Sequence, residues 1–177
     1  MTSIREETPG DYEAIREVNR LAFQGEVEAR LVDRLRAEGF AIASLVAVED
    51  GQVVGHIFFC ELPIETERGV LRAASLAPMA VRPERQRQGI GSALVRAGLE
   101  ACRRRDCLVV LVVGHPDYYP RFGFSAEQAR NLQAPYSGEA FMALELVPGT
   151  LQGIRGTVRY PKAFEEERCD GPSNLLV

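Results

Sequence analysis

Residues 76–94 read LAPMAVRPERQRQGIGSAL, and the rest of the chain is arranged around them. An apolar run ends at Val81, and Pro83 closes it because proline has no N–H for a strand ladder. An arginine-rich turn follows, and Gly89-Ile-Gly91 opens a segment of helical period. The stretch therefore predicts a strand, a glycine-bearing loop and a helix whose apolar face carries Ile90, Ala93, Leu94, Ala97, Gly98 and Ala101.

A loop of this kind at the start of a helix predicts an anion-binding site. The first helical N–H groups have no intrahelical acceptor, and the helix dipole places partial positive charge there. Gly89 and Gly91 leave the backbone open to a bulky anion. Positive charge is added by Arg82, Arg85 and Arg87, although charged runs also simply solvate loops. The expected ligand is a pyrophosphate.

Two common phosphate loops do not fit this stretch. A Walker loop needs Gly-Lys-Ser/Thr, and Lys162 is the only lysine in the sequence. A dinucleotide fingerprint needs a third glycine where Leu94 stands. What remains is Gln86-x-x-Gly89-x-Gly91 after a strand, which resembles the acetyl-CoA loop Q/R-x-x-G-x-G/A of the GNAT N-acetyltransferase superfamily. An ordinary strand-to-helix turn is the alternative for the loop alone.

The length, charge and composition of the chain exclude several classes of function. A chain of 177 residues with 46% hydrophobic residues predicts one domain with a full core, and a net charge of -4 argues against nucleic-acid binding. No run approaches the roughly 18 apolar residues of a membrane span, and residues 1–5 lack a signal region. We therefore expect a cytoplasmic protein with no membrane partner. No C-x-x-C spacing links the cysteines, so we expect reduced thiols and no metal at Cys60, Cys102, Cys107 and Cys169.

The other hydrophobic patterns predict an α/β (α+β) fold with a mixed sheet. Strands are predicted over Ser3–Glu6, Ile42–Val48, Val53–Cys60, Val70 or Leu71 to Val81, Cys107–Val113, Phe141–Leu146 and Gly156–Pro161. Helices are predicted from a cap at Thr8 to Ala22 and from Glu26 to Ala37. Their inward residues are expected to be Ala14, Ile15, Val18, Leu21, Ala22, Val27, Leu31 and Leu35.

Turn signals complete this arrangement. Asp50-Gly51 between two apolar runs predicts a tight hairpin. Residues 62–69 are interpreted as a charged connection, and Pro116 permits a short helical turn beginning near Asp117. The polar tail from Glu165 to Val177, with Gly171-Pro-Ser-Asn174, is predicted to be loose at its end.

A second motif strengthens the resemblance. Residues 115–124 read HPDYYPRFGF, and Tyr119-x-x-x-Gly123-Phe124 resembles the family's Y-x-x-x-G-F after the fifth strand. The run also resembles a subgroup of predicted bacterial acetyltransferases. The element order matches the family over roughly residues 3–147. The resemblance implies a GNAT-like three-layer fold, with helices on both faces of a central, mixed, mostly antiparallel sheet splayed between strands 4 and 5. It makes residues 1–177 a single N-acetyltransferase domain, with the C-terminal strand and tail over about 148–177.

The resemblance implies an acyltransferase that moves acetyl from acetyl-CoA, its cosubstrate, to an amine by direct attack in a ternary complex. The acceptor would be a small-molecule or protein amine, and homodimers are common in the family. Main chain of Met79, Ala80 and Val81 would meet pantetheine. Tyr119 would lie near the CoA sulfur, with a core aromatic as its alternative role; Tyr118 and Phe122 are expected in the core. The loop that would hold the pyrophosphate comprises Gln86, Arg87, Gln88, Gly89, Ile90, Gly91 and Ser92.

Two departures from the family pattern leave the proton acceptor open. Residues 114–117 replace an asparagine that many members carry, and residues 71–76 hold no carboxylate where many carry a glutamate. The candidate bases are His115, His56, Glu61 and Glu28. The alternatives are packing of the turn for His115, a satisfied sheet residue for His56, and solvated charges for Glu61 and Glu28.

Two other functions compete with this one. A non-catalytic acyl-CoA sensor would bind CoA without turnover, and a related transferase would use another acyl donor or a hydroxyl acceptor. The acidic balance of the chain favours a cationic acceptor amine. Its pocket is expected between the first two helices, residues 62–69 and residues 131–138.

Overall fold

The computed structural model describes residues 1–168 and places two sheets and several helices within them. The strands are β1 Ser3–Glu6, β2 Ala41–Glu49, β3 Gln52–Glu61, β4 Ile64–Thr66, β5 Gly69–Leu71, β6 Ala73–Val81, β7 Val109–Val113, β8 Leu132–Gln133, β9 Phe141–Glu145 and β10 Gly156–Val158. The α-helices are α1 Tyr12–Phe23, α2 Val27–Ala37, α3 Ile90–Arg104, α4 Ala126–Ala129 and α5 Lys162–Arg168. Short 3-10 turns cover Pro9–Asp11, Pro83–Arg85 and Tyr119–Phe122.

The main sheet has the order β1-β2-β3-β6-β7-β9. β6 and β7 run parallel, and every other neighbouring pair is antiparallel, which confirms the mixed, mostly antiparallel sheet. The β2–β3 hairpin turns at Asp50 and Gly51, whose φ angles of 48° and 77° are both left-handed. Such a turn matches the twist of the two strands and favours glycine at its second position.

The splay between β6 and β7 is confirmed by their register. Pairing runs from Ala73 opposite Val109 to Leu76 opposite Val112, while β6 continues to Val81. The β3–β6 register also shifts, because three steps of β6, from Leu76 to Met79, lie opposite two steps of β3. An extra residue in one strand bends it away from its neighbour. Among residues 1–168, no strand therefore pairs with residues 77–81 of β6 on the side where β7 lies.

Helices cover both faces of this sheet, as predicted. α1, α2 and α5 share one hydrophobic cluster with the sheet, and α3 packs into another on the opposite face. The contact of α3 with β3 requires a glycine, because a Cβ on Gly98 would lie 2.2 Å from Cε2 of Phe59. This close approach fixes the axis of α3, and with it the position of the helix N-terminus.

Several sequence expectations are corrected here. The charged connection over residues 62–69 contains β4 and leads into β5, and the predicted long strand from residue 70 is interrupted at Arg72. β4 and β5 join β10 and β8 in a second sheet of order β5-β4-β10-β8. Leu21, which was predicted to face inward, is 41% exposed. β4, β5, β8 and β10 have only two or three residues each, which is too few for an alternating pattern to show.

The first residues of the polar tail, from Glu165 to Arg168, are helical, which the sequence did not predict. Residues 162–168 form α5, and Ala163 and Phe164 pack into the cluster beneath α2. Residues 169–177, with Cys169 and the Gly171–Asn174 turn signal, lie outside the described residues. Within residues 1–168, no helix combines the length and apolar character that a bilayer span needs.

Candidate functional site

A cavity of about 580 Å³ opens where β6 continues past the end of its pairing with β7. Nine of the residues expected at the site line it: Met79, Ala80, Val81, Gln86, Arg87, Gly89, Gly91, Ser92 and His115. Gln88, Ile90 and Tyr119 do not. The wall also contains Arg85, one of the three loop arginines, and residues that the sequence did not assign to the site, namely Ala22, Phe23, Tyr118 and Arg121.

The loop between β6 and α3 is shaped by its own glutamines. The side-chain amide of Gln86 donates to the carbonyl of Val81 at 3.1 Å, and that of Gln88 donates to the carbonyl of Glu84 at 3.2 Å. The Gln86 bond ties the loop to the end of β6, and the Gln88 bond ties it to the 3-10 turn at Pro83–Arg85. Both glutamine side chains therefore hold the loop in shape, while its main chain remains available to a ligand.

The start of α3 presents unpaired N–H groups at the cavity. The N–H of Ala93 donates to the carbonyl of Gly89 at 3.0 Å and is the first to bond within the helix. The N–H groups of Ile90, Gly91 and Ser92 precede it and have no intrahelical acceptor. Gly89 has φ 87°, a left-handed conformation that side chains rarely adopt. This geometry suits a bound phosphate.

The three loop arginines differ in what they contact. Arg82 pairs with Glu17 and with Glu84, and Arg85 pairs with Glu49 on β2. Arg87 is exposed, lines the cavity and has no ion-pair partner among residues 1–168. Arg87 is therefore the loop arginine whose charge is available to an anion.

Tyr118 packs against the hydrophobic core, as expected, and also lines the cavity, which was not expected. Its hydroxyl lies 3.2 Å from the hydroxyl of Ser92, and a Cβ on Gly91 would lie 3.3 Å from that same Tyr118 oxygen. The guanidinium carbon of Arg121 sits 4.4 Å from the Tyr118 ring centroid, and Arg121 Nε donates to the Tyr118 carbonyl at 2.9 Å. The Tyr118 ring is thus held against the first turn of α3.

Tyr119 lies behind this wall and is fully buried. Its ring meets those of Tyr118 and Phe124 edge-on, with centroids 5.1 and 5.7 Å away. Its hydroxyl has no hydrogen-bond partner within residues 1–168. Burial raises the pKa of Tyr119 above its ordinary value, so the hydroxyl stays protonated. A buried hydroxyl without a partner is uncommon, because leaving it unpaired costs about 1–3 kcal/mol.

The two histidines occupy different environments. His115 is exposed and lines the cavity. His56 is fully buried; its Nδ1 lies 3.2 Å from the amide nitrogen of Asn19, and its Nε2 lies 2.9 Å from Ser44 Oγ. Because Ser44 donates to Glu7 at 2.5 Å, His56 donates to Ser44 from Nε2 and accepts at Nδ1. Burial lowers the pKa of His56 to about 3, so it is a neutral, satisfied sheet residue.

The two glutamate candidates also differ. Glu61 is exposed at the end of β3, opposite Ala74, and that end of the sheet is the one remote from Val81. The sequence left Glu28 as either a base or a solvated surface charge. It is only 4% exposed, so it is not a solvated surface charge. Burial raises the pKa of Glu28.

A second, small cavity lies over β6 and β7 near the point where they separate. Ser75 and Ala77 contribute from β6, and Val113 contributes from β7. Its other walls are aromatic: the Tyr160 ring meets those of Tyr136 and Phe164 edge-on at 5.1 and 5.2 Å. Tyr136 belongs to the predicted 131–138 wall of the acceptor pocket, whereas α5, which supplies Phe164, was not foreseen.

Within residues 1–168, no three side chains of His, Cys, Asp or Glu are grouped so that they could hold a metal ion.

Comparison with known proteins identifies the family. A family model for an acetyltransferase (GNAT) domain matches residues 3–126. YhbS of Escherichia coli K12, described as an uncharacterised N-acetyltransferase, is 34% identical over 164 residues, which are 91% of this chain and 97% of YhbS. YjhQ of the same organism, described in the same way, is 40% identical over 129 residues, 71% of each chain.

Solved structures agree with this assignment. The crystal structure of E. coli YhbS in complex with CoA has a TM-score of 0.84 at 34% identity, covering 93% of this chain and 92% of that one. A GNAT family acetyltransferase from Brucella melitensis in complex with acetyl-CoA has a TM-score of 0.78 at 36% identity, covering 93% and 98%. The chain studied here is therefore a member of the GNAT acetyltransferase family.

Proposed function

We propose that this protein transfers acetyl from acetyl-CoA to an amine by direct attack in a ternary complex. The observation that carries the proposal is the cavity at the splayed strands, whose wall includes Gly91 and Ser92 in the first turn of α3. Two similar proteins, from E. coli and B. melitensis, have been solved with CoA and acetyl-CoA. The family and this cavity together favour the same cosubstrate here.

In this proposal the cofactor uses main chain on both sides of the cavity. Its pyrophosphate accepts hydrogen bonds from the N–H groups of Ile90, Gly91 and Ser92, with Arg87 as the nearby charge. Its pantetheine arm lies along Met79 to Val81, where β7 has left the edge of β6 unpaired. An amide-containing arm can pair with such an edge as an added strand would.

The proposed transfer then needs three events. The amine nitrogen forms a bond to the thioester carbonyl carbon, and the oxygen gains negative charge. A main-chain N–H at the end of β6 stabilises that charge. The carbonyl re-forms as the carbon–sulfur bond breaks, CoA leaves as the thiolate of a thiol whose pKa is about 8.5, and the proton lost from the amine nitrogen passes to solvent.

We assign the two tyrosines different tasks within this proposal. The Tyr118 hydroxyl, beside Ser92 at the start of α3, contacts the phosphate end of the cofactor. The Tyr119 hydroxyl, buried and without an acceptor among residues 1–168, donates a hydrogen bond to the leaving sulfur. Because burial raises the pKa of Tyr119, it stabilises the thiolate as a donor and does not itself ionise.

A sensor is the second candidate function. It is favoured by one observation, that β6 carries no carboxylate in the position where many family members place their base. The two functions are separated by measuring acetyl-CoA binding together with thiol release on a panel of amines. Turnover supports the transferase, whereas binding without turnover on any amine supports the sensor. Acyl-CoA esters of other chain lengths and hydroxyl acceptors, run in the same assay, address the remaining alternatives.

A further inference from the structure

The second, small cavity over β6 and β7 lies at the inner end of the path proposed for the cofactor. A pyrophosphate at the start of α3 and an arm along β6 from Val81 to Met79 would place the acyl group beyond Met79, towards Ala77. Ala77 lines the small cavity and is two residues of extended chain from Met79, about 7 Å. On β7 the lining residue is Val113, which directly follows the last residue that pairs with β6. The small cavity therefore opens where the two strands separate.

The small cavity lies on the face of the main sheet opposite α3. Ala77 and Phe164, which line it, belong to the hydrophobic cluster that contains α1, α2 and α5. Ile90, at the start of α3, packs into the cluster on the other face. A group held in the small cavity would thus approach the acyl carbon from the face that does not carry α3. A ternary complex needs such an arrangement, because donor and acceptor must occupy separate sites.

The small cavity is narrow, and aromatic rings form much of its wall. Its volume is about 10 Å³, enough for one group of the size of a water molecule. The plane of the Tyr160 ring makes angles of 73° and 75° with the Tyr136 and Phe164 rings. None of its lining residues carries a charge at neutral pH: Ser75, Ala77, Val113, Tyr136, Tyr160 and Phe164. Aromatic walls bind methylene groups and attract an ammonium group to the ring face. The cavity therefore suits the end of a slender alkylammonium chain.

A larger groove meets the small cavity at Tyr160. The groove has a volume of about 560 Å³, and Tyr160 lines both the groove and the small cavity. Arg34 in this groove pairs with Glu38 at 3.1 Å and with Glu166 at 2.5 Å. The charged residues that line the groove are balanced in sign: Arg34, Arg159 and Lys162 against Glu38, Glu61 and Glu166. The Tyr160 ring therefore forms the boundary between a charged outer groove and an uncharged cavity at the strands.

We infer that the acceptor is a primary amine at the end of an unbranched alkyl chain, and that Tyr160 is the residue that selects it. This inference rests on the proposed acetyl transfer. The chain enters from the groove, passes the Tyr160 ring and brings its amino group into the small cavity beside the thioester. A lysine side chain and a free n-alkylamine share this chemistry. A branch at the carbon that bears the nitrogen adds a methyl group for which the small cavity has no room.

The test compares two amines that differ in branching alone. n-Butylamine and sec-butylamine are isomers, and both are primary aliphatic amines that arrive protonated at neutral pH. We expect the kcat/KM of wild type to be about 10- to 200-fold higher for n-butylamine, the usual effect of one extra carbon in a hydrophobic pocket. Release of the CoA thiol measures both reactions.

Three variants show whether the Tyr160 ring causes this preference. Tyr160→Ala opens the passage and should lower the preference for n-butylamine by about tenfold. Tyr160→Phe keeps the ring and should keep the preference. Tyr12→Ala removes another half-buried tyrosine, one that lines neither cavity nor groove, and should leave the preference unchanged. A purely structural effect would lower kcat/KM for both isomers alike, so the ratio between them identifies a role in selection.

A further acceptor distinguishes the two sources of the amine. Nα-Acetyl-lysine amide carries the unbranched chain on a peptide unit that would lie in the groove. A higher kcat/KM for this compound than for n-butylamine supports a protein lysine as the acceptor. A lower kcat/KM supports a free alkylamine. Both results agree with an unbranched primary amine.

Three results would overturn the inference while acetyl transfer stands. They are equal kcat/KM values for the two isomers in wild type, wild-type turnover confined to branched, aryl or hydroxyl acceptors, and an unchanged isomer preference in Tyr160→Ala. The first two are measured on wild type alone, so they decide the matter even where a variant fails to fold. Calorimetric affinity for acetyl-CoA should be unaltered in all three variants. Failure of the proposed function itself looks different, because no acceptor of any class would then release thiol.

Discussion

The hydroxyl of Tyr118 lies 3.2 Å from that of Ser92, and this contact joins the turn after β7 to the first turn of α3. Both segments contribute to the cavity wall. Tyr119, the next residue, is fully buried, and its hydroxyl has no partner among the described residues. The two adjacent tyrosines therefore differ in their hydroxyls: that of Tyr118 is partnered at the start of α3, and that of Tyr119 is buried with no partner among residues 1–168.

Removing each hydroxyl should therefore have a different effect. Tyr118→Phe should raise the dissociation constant for acetyl-CoA by about 2- to 12-fold, the value of one ordinary hydrogen bond, with little change in kcat. Tyr119→Phe should lower kcat by roughly 10- to 150-fold, the value of a bond to a charged group, with little change in affinity. Calorimetry on both variants measures the dissociation constant for acetyl-CoA, and steady-state kinetics measures kcat.

Thermal unfolding separates a catalytic Tyr119 from a purely structural one. Since its hydroxyl has no partner within residues 1–168, Tyr119→Phe should leave the free energy of unfolding unchanged or slightly higher. A variant that unfolds more easily but turns over normally would contradict the assigned role.

Arg87 should contribute to cofactor affinity through its charge. Arg87→Ala should raise the dissociation constant for acetyl-CoA by about tenfold at low salt, because a charge-assisted bond to phosphate is lost, and by less at high salt. Titration calorimetry at two ionic strengths measures this. Arg104→Ala, an exposed arginine at the far end of α3, is the matched control. Equal effects of the two changes would mean that Arg87 acts only through net charge.

Two glycines should affect stability for different reasons. Gly98→Ala places a methyl group 2.2 Å from the buried Phe59 ring and should lower the free energy of unfolding by about 1–3 kcal/mol. Gly89→Ala meets open space but must keep φ near 87°, which costs about 1–2 kcal/mol. Urea unfolding measures both, and Gly25→Ala, with open space and ordinary φ, is the control. A stable Gly98→Ala would show that α3 can shift relative to β3.

His56 should make the fold sensitive to acid. Its pKa is about 3 in the folded chain, below the ordinary 6.5 of the unfolded one, so the unfolded state binds more protons between these values. The stability contributed by His56 is complete above pH 6.5 and is lost as pH falls towards 3, by about 1.4 kcal/mol per pH unit. Urea unfolding of wild type and His56→Gln from pH 7 to 4.5 tests this. Parallel curves for the two proteins would contradict a neutral buried His56.

Much of the fold follows from local sequence signals. The Asp50-Gly51 turn requires left-handed backbone, the glycine at 98 allows α3 to approach β3, and both signals can be read from residue type and spacing. The splay is different, because it depends on a one-residue shift between β3 and β6. Only the family resemblance predicted it.

The second sheet and α5 could not be foreseen in the same way. β4, β5 and β10 each have three residues, and β8 has two, so none shows an alternating pattern. Their pairing brings residue 66 opposite residue 156, a contact that no local window contains. The chain from Glu165 is polar, yet Ala163 and Phe164 just before it pack α5 against the core.

The candidate site shows where residue patterns mislead. The motif pointed to Tyr119, while the choice of which tyrosine faces the cavity depends on the turn at Tyr119–Phe122. Glu28 did carry a readable signal. It precedes Leu31, Val32 and Leu35 at helical spacing, whereas the neighbouring Val27, which was expected inward, is half-buried. The burial of Glu28 therefore follows from its place at the head of an apolar stripe.

The central claim, that this protein uses acetyl-CoA to acetylate an amine, is tested most directly by one paired experiment. Acetyl-CoA is titrated into the protein by calorimetry, and the same preparation is assayed for CoA thiol release with the amine panel. We predict one-to-one binding, together with amine-dependent thiol release that Tyr119→Phe reduces. Binding without release on any acceptor would indicate a sensor, and absence of binding would contradict the assignment of the 86–92 loop as the cofactor site.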